Sequence, residues 1–254
     1  MLSKEDKINF VHDLLIDHPH LNELIFDENK KMRSIVRNSL LDISHFIIDR
    51  VSPFFTNFKV EDILLHGSIC EYIWTDKSDI DLIIVINDND EIFNKHVTNM
   101  LMSDTSKRGG EFRLYNHVID IGFLKKCMIM GYYATYSILN NKWNVEPERL
   151  GFEYGAEELF YEYCKFSADL NRFVASLNKI NGAFLDLNSC YKLKNRLIEI
   201  QTKAYKAKYD NPLHGYCKEY NIYRVAKRFG VLKHFENYVN DSYKYITGTE
   251  HARR

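Results

Sequence analysis

The segment from Ile63 to Ile86, ILLHGSICEYIWTDKSDIDLIIVI, constrains this chain more than any other. Its two apolar runs, Ile63 to Leu65 and Leu82 to Ile86, read as short strands, and each borders something a packed core disfavours. The first runs out into Gly67-Ser68, a tight turn, and the second is entered through Asp79 and Asp81. Side chains i and i+2 of a strand share a face, so this spacing sets two carboxylates side by side. Like charges at that range repel unless a cation lies between them. A hard divalent ion such as magnesium takes carboxylate oxygens and keeps phosphate and water as its other ligands, which makes it the simplest cation for the pair.

A third acid obeys the same logic. Asp120 lies between Ile119 and Ile121, where a core-facing carboxylate without a partner would be costly. If its strand lies beside the Asp79/Asp81 strand, three carboxylates converge, as a two-metal site for phosphoryl or nucleotidyl transfer requires. One ion would then be held by Asp79 and Asp81 with the donor phosphates, and the other shared with Asp120. Gly67 would let the backbone approach those phosphates, with Ser68 and the amides of a following helical turn, expected over Ile69 to Trp74, on the leaving pyrophosphate. The plainer readings are water-facing strand-edge acids and a Ser68 that only caps a helix.

Around this segment the pattern is α+β. Helices are expected over residues 4 to 17 and from Asn29 to Val51, stopped by His18-Pro19-His20 and Ser52-Pro53. Strands are expected over Val60 to Leu65 and Asp79 to Ile86, with a hairpin from Glu111 to Phe123 pivoting near Asn116. A helix over Glu91 to Met102 and a basic loop at Lys107-Arg108-Gly109-Gly110 lie between them. The Asn140 to Gly151 region, with Pro147 and two asparagines, reads as a boundary. The expected division is therefore a small mixed-sheet catalytic domain with N-terminal helices over residues 1–145 and an α-helical domain over 146–254. Breaks in the helical part are expected at Asn181-Gly182, Asn211-Pro212 and Gly230.

Composition narrows the setting. A chain of 254 residues with 45% apolar and 27% charged residues can bury a full core. No apolar run approaches the roughly 20 residues of a membrane span, the N-terminus lacks the pattern of a secretory signal, and a cytoplasmic location is the default. Five cysteines without a CxxC pair argue for reduced thiols and against zinc. The net charge of −1 conceals a division: from residue 191 onward fourteen Lys and Arg face six acids, giving +8, against −9 before it. That excess fits an anionic partner such as a nucleoside triphosphate or RNA, although a solvated helix face explains it as well. Lys192 and Lys206, with Lys194 and Lys203 and the nearby Tyr191 and Tyr205, are the candidate nucleotide-binding residues of this half. Arg228 and His234 form an Arg-x5-His pattern like that of certain helical ribonucleases, but Gly230 interrupts the helix it would need.

The residues of the first segment carry a resemblance. Leu65-His66-Gly67-Ser68, then Ser78-Asp79-Ile80-Asp81-Leu82, then Ile119-Asp120-Ile121 resemble the signature of the DNA polymerase β-like nucleotidyltransferases. The match covers residues 60 to 124, and it departs from the GSxARG form of the small bacterial members at Cys70, Glu71 and Tyr72. The resemblance implies Gly67 and Ser68 as phosphate binders, Asp79 and Asp81 as metal ligands, and Asp120 as third ligand and base. It implies two magnesium ions, with manganese as a substitute, and an ATP-like triphosphate as donor. RNA or another nucleotide suits the basic half better as acceptor than a cationic, aminoglycoside-type molecule or a protein does. A non-catalytic nucleotide- or RNA-binding module is the alternative of a different kind.

Overall fold

The apolar runs of the sequence become the centre of a six-stranded mixed sheet. The computed structural model describes residues 3–54, 59–87, 112–125 and 132–248. Strands β1 (Val60–His66) and β2 (Ile80–Ile86) pair antiparallel, and β2 pairs in parallel with β4 (His117–Lys125). With β3 (Arg113–Leu114), β5 (Thr135–Ser137) and β6 (Lys142–Val145) the order is β3-β4-β2-β1-β5-β6. The helix expected over Glu91 to Met102 and the loop at Lys107 and Arg108 lie outside the described residues.

Strand alternation assigns the two faces. Ile63, Leu65, Leu82, Ile84, Ile119 and Ile121 point into the main core, where they meet Val36, Leu40, Ile47 and Val51 of α2 (Ser34–Val51). Those four recur at the helical period, and burying each stabilises the fold by about 1.5–3 kcal/mol. The opposite face carries Leu64, Ile83 and Val85, with Leu124 and Tyr132 packed against them.

Two segments differ from the sequence expectation for identifiable reasons. The second helix starts at Ser34, not Asn29, because the Asp27 carboxylate accepts hydrogen bonds from the Asn29 and Lys31 amides and holds a turn closed by a Phe26–Met32 bridge. A side chain that satisfies nearby amides in this way competes with the helix. The Asn140 to Gly151 region, expected as a boundary, contains β6 as well, and the division between the compact units falls at its end, between Leu150 and Gly151. Trp143 packs at 5.1 Å from both Phe26 and Tyr136, so that tertiary contacts hold strands too short to show a period.

The chain divides into two compact units, Ile16–Leu150 and a second made of Met1–Leu15 with Gly151–Arg254. The N-terminal helix α1 (Lys4–Leu14) thus goes with the helical unit, whereas residues 1–145 were expected to form one domain. Its Val11 and Leu14 pack on Leu159, Phe160 and Val225. A Ser3/Asp6 capping box starts it. The rest of that unit is α3 (Ala156–Ala175), a hairpin of β7 (Lys179–Ile180) and β8 (Phe184–Leu185), α4 (Leu187–Asp210), α5 (Lys218–Arg228) and α6 (Val231–Thr247). The interruptions fall at Asn181-Gly182, Asn211-Pro212 and Gly230. Gly230 is left-handed between α5 and α6, so Arg228 and His234 lie on different helices. Among the described residues no helix is long and apolar enough to cross a membrane. Cys70, Cys164, Cys190 and Cys217 are in no disulfide, and Cys127 lies outside the described residues.

Candidate active site

β1 ends at His66 and the chain turns at Gly67, where φ is 87° and ψ is −171°. That conformation is essentially confined to glycine. A second constraint acts at the same atom: a Cβ added to Gly67 would lie 2.0 Å from Asp81 Oδ2. The bare backbone of the turn therefore lies directly against the Asp81 carboxylate. The chain continues into a three-residue 3-10 turn, Ser68–Cys70, and not the helical turn and a half expected over Ile69 to Trp74. The Cys70 and Glu71 amides are used inside it, donating to the Gly67 and Ser68 carbonyls at 3.0 and 3.1 Å. Ile69 and Cys70 are fully buried in the main core and anchor the turn from beneath.

The acids are brought together by register. His66 is opposite Asp81 across the antiparallel pair, and Asp81 is opposite Asp120 across the parallel pair. Opposed residues share a sheet face. Their even-numbered neighbours Leu64 and Leu124 belong to the smaller apolar cluster, so His66, Asp81 and Asp120 form a row on the face away from the main core. Asp81 is half-buried, and Asp79 and Asp120 are exposed. Asp79 lies one residue ahead of β2 and so outside the ladder, where it was expected within the strand. Tyr132 closes one side. Its ring is 5.0 Å from that of His66, and burial, with the Asp81 charge as the lesser cause, pushes its phenol above the ordinary range.

Among the described residues no three His, Cys, Asp or Glu side chains are gathered as a ready-made metal cage. The expected convergence of three carboxylates is thus met by the backbone for Asp81 and Asp120, and the side chains form an open row. A row of carboxylate oxygens beside a turn without a Cβ fits a hard divalent ion that takes part of its coordination from phosphate and water.

The other expected residues fare differently. Ser68 donates from its hydroxyl to Ser78 Oγ at 2.9 Å. Lys192 and Lys206 are exposed on α4 in the helical unit. Fourteen residues separate them, about 21 Å along a helix, so the fold does not bring them to one phosphate group. Lys208, which no spacing in the sequence singles out, is the buried lysine of that helix, with its ammonium 5.1 Å from the Tyr220 ring centre. A cavity of about 550 Å³ in the sheet unit is lined by Leu21, Phe26, Asp27, Lys30 and Tyr72 among others, and by none of the three acids. His117 and Ser78 were not assigned roles from the sequence; a histidine and a serine beside apolar strands were the available signal.

No family model and no curated protein matches the chain. Among solved structures, it is similar to a proposed nucleotidyltransferase from Sulfolobus solfataricus at 18% identity, over 43% of this chain and 90% of that one, with a TM-score of 0.27.

Proposed function

We propose that this chain transfers a nucleoside monophosphate from a nucleoside triphosphate to a hydroxyl group of an acceptor. One observation carries the reading: Asp81 and Asp120 face each other on neighbouring parallel strands, away from the main core, with the Gly67 backbone against the Asp81 carboxylate. Carboxylates on adjacent strands, about 4.8 Å apart at the backbone, serve no packing purpose and repel one another. Magnesium or manganese held by Asp79, Asp81 and Asp120 would neutralise the phosphates and make the attacking hydroxyl more acidic.

The residues have separable tasks. Asp120, exposed at the end of the row, accepts the proton of the acceptor hydroxyl. As the bond from that oxygen to the α-phosphorus forms, the α–β phosphoanhydride bond breaks and pyrophosphate leaves with the electron pair. Gly67 leaves room for the Asp81 carboxylate against the turn, and Ser68, whose hydroxyl donates to Ser78, holds that turn in place. The +8 C-terminal section favours an anionic acceptor, RNA or another nucleotide, over a polycation.

The test is incubation with each labelled triphosphate, magnesium or manganese, and separated RNA, protein and small-molecule fractions. Label is expected in the RNA or nucleotide fraction. Asp81→Ala and Asp120→Ala should each lower transfer about 100-fold or more, the scale of losing transition-state charge stabilisation, with the fold retained. Full activity in both variants would falsify the assignment. Label only in a cationic small molecule would overturn the acceptor class, and triphosphate binding without transfer to any fraction would point to a non-catalytic binding module.

A further inference from the structure

Asp79 has a problem that the strand does not solve. It is exposed and lies one residue ahead of β2, whose pairing begins at Ile80, yet a metal ligand must be held to a fraction of an ångström. The solution lies in two buried polar residues that the transfer reading does not use, Ser78 and His117, each 4% exposed. Ser78 Oγ accepts from the Thr75 amide at 2.9 Å and from the Ser68 hydroxyl at 2.9 Å. The Ser78 amide donates to the Thr75 carbonyl at 2.9 Å. The Ser78 carbonyl, part of the peptide that leads into Asp79, is bonded to His117 Nδ1 at 2.7 Å. A carbonyl only accepts, so Nδ1 carries the proton and the ring is held in one tautomer. His117 opens β4, three residues before Asp120.

These bonds join three parts of the site: the Gly67-Ser68 turn, the segment from Thr75 to Asp79, and the strand that carries Asp120. We propose that Ser78 and His117 are positioning residues, a buried relay that fixes the Gly67-Ser68 turn and Asp79 relative to the Asp81–Asp120 pair. Apolar residues would fill the same space without orienting anything. Buried hydrogen bonds are directional and expensive to leave unmade, so they hold one arrangement. The geometric part stands by itself, and its consequence for catalysis rests on the transfer reading.

The experiment is amide hydrogen exchange on the full chain, comparing the parent with Ser78→Ala, His117→Phe and His117→Asn. Ser78→Ala removes the side-chain acceptor at little steric cost. His117→Phe keeps the ring and removes the donor, and His117→Asn offers a side-chain N–H to the same carbonyl. Exchange across residues 67–79 should quicken about tenfold or more in Ser78→Ala and His117→Phe, as when a buried bond restraining a local opening is lost. Amides of Ile63 to Leu65 should be unchanged, and His117→Asn should recover most of the protection. Unchanged exchange over 67–79 in Ser78→Ala overturns the relay even if His117→Phe fails to fold. Uniform acceleration across the whole sheet unit also overturns it, since that marks a merely structural role. Where the parent transfers label, Ser78→Ala should lower kcat about tenfold or more with a smaller change in KM for the triphosphate, the pattern of lost alignment. A parent that transfers nothing refutes the transfer reading, while exchange still decides the relay.

Discussion

Gly67 is where backbone conformation and chemistry make the same demand. Its φ of 87° with ψ of −171° costs a residue with a Cβ about 1–3 kcal/mol, and that Cβ would lie 2.0 Å from the Asp81 carboxylate. Gly67→Ala should therefore lower the thermal unfolding midpoint and displace Asp81 together. Paired unfolding and transfer assays check this, and parental values in both would contradict it. Tyr154 sets a different residue-scale expectation. It is half-buried, donates to the Tyr216 carbonyl at 2.9 Å, and burial pushes its phenol well above the ordinary value of 10. A pKa raised in the folded state gives stability that is complete below the unfolded value and is lost as pH climbs past it. The helical unit should hold its unfolding midpoint up to about pH 10 and weaken above it, and Tyr154→Phe should make that alkaline decline shallower in a pH series of melts.

At the scale of elements, legibility tracked periodicity. β1, β2 and β4 could be read because their apolar runs are long enough to show a pattern, and α2 because its buried residues recur every three or four positions. The start of α2 could not, since it depends on Asp27 holding two amides in a turn. Nor could β5 and β6, whose few residues are held by Tyr136 and Trp143 packing against Phe26. Asn221 on α5 shows the same dependence in the helical unit. It is fully buried, its amide donates to Tyr154 Oη and to the Gly215 and Cys217 carbonyls, and its carbonyl oxygen accepts from Arg224. Asn221→Ala would strand several of these groups and should cost about 2 kcal/mol or more, measurable by urea denaturation.

At the scale of the whole molecule, the helical unit is assembled from both ends of the sequence. Val11 is fully buried and Leu14 is 5% exposed, both against Leu159, Phe160 and Val225. Deleting residues 1–15 should cost that unit about 3–5 kcal/mol in lost apolar burial, seen as an earlier unfolding transition. The charge division also acts at this scale: if the +8 section engages an anionic acceptor, the KM for that acceptor should rise steeply with salt, and indifference to salt would contradict the contact. By itself the sequence determined the α+β class, the turn at Gly67, the strands that carry Asp81 and Asp120, and the breaks between the C-terminal helices. All of these are local, written in runs, spacings and turn residues. Only the tertiary structure decided that α1 joins the helical unit and that Asp81 and Asp120 are register partners. It also decided that His117 reaches the Ser78 carbonyl. Each of these depends on contacts between distant segments or on a strand register, which residue spacing along one chain does not encode.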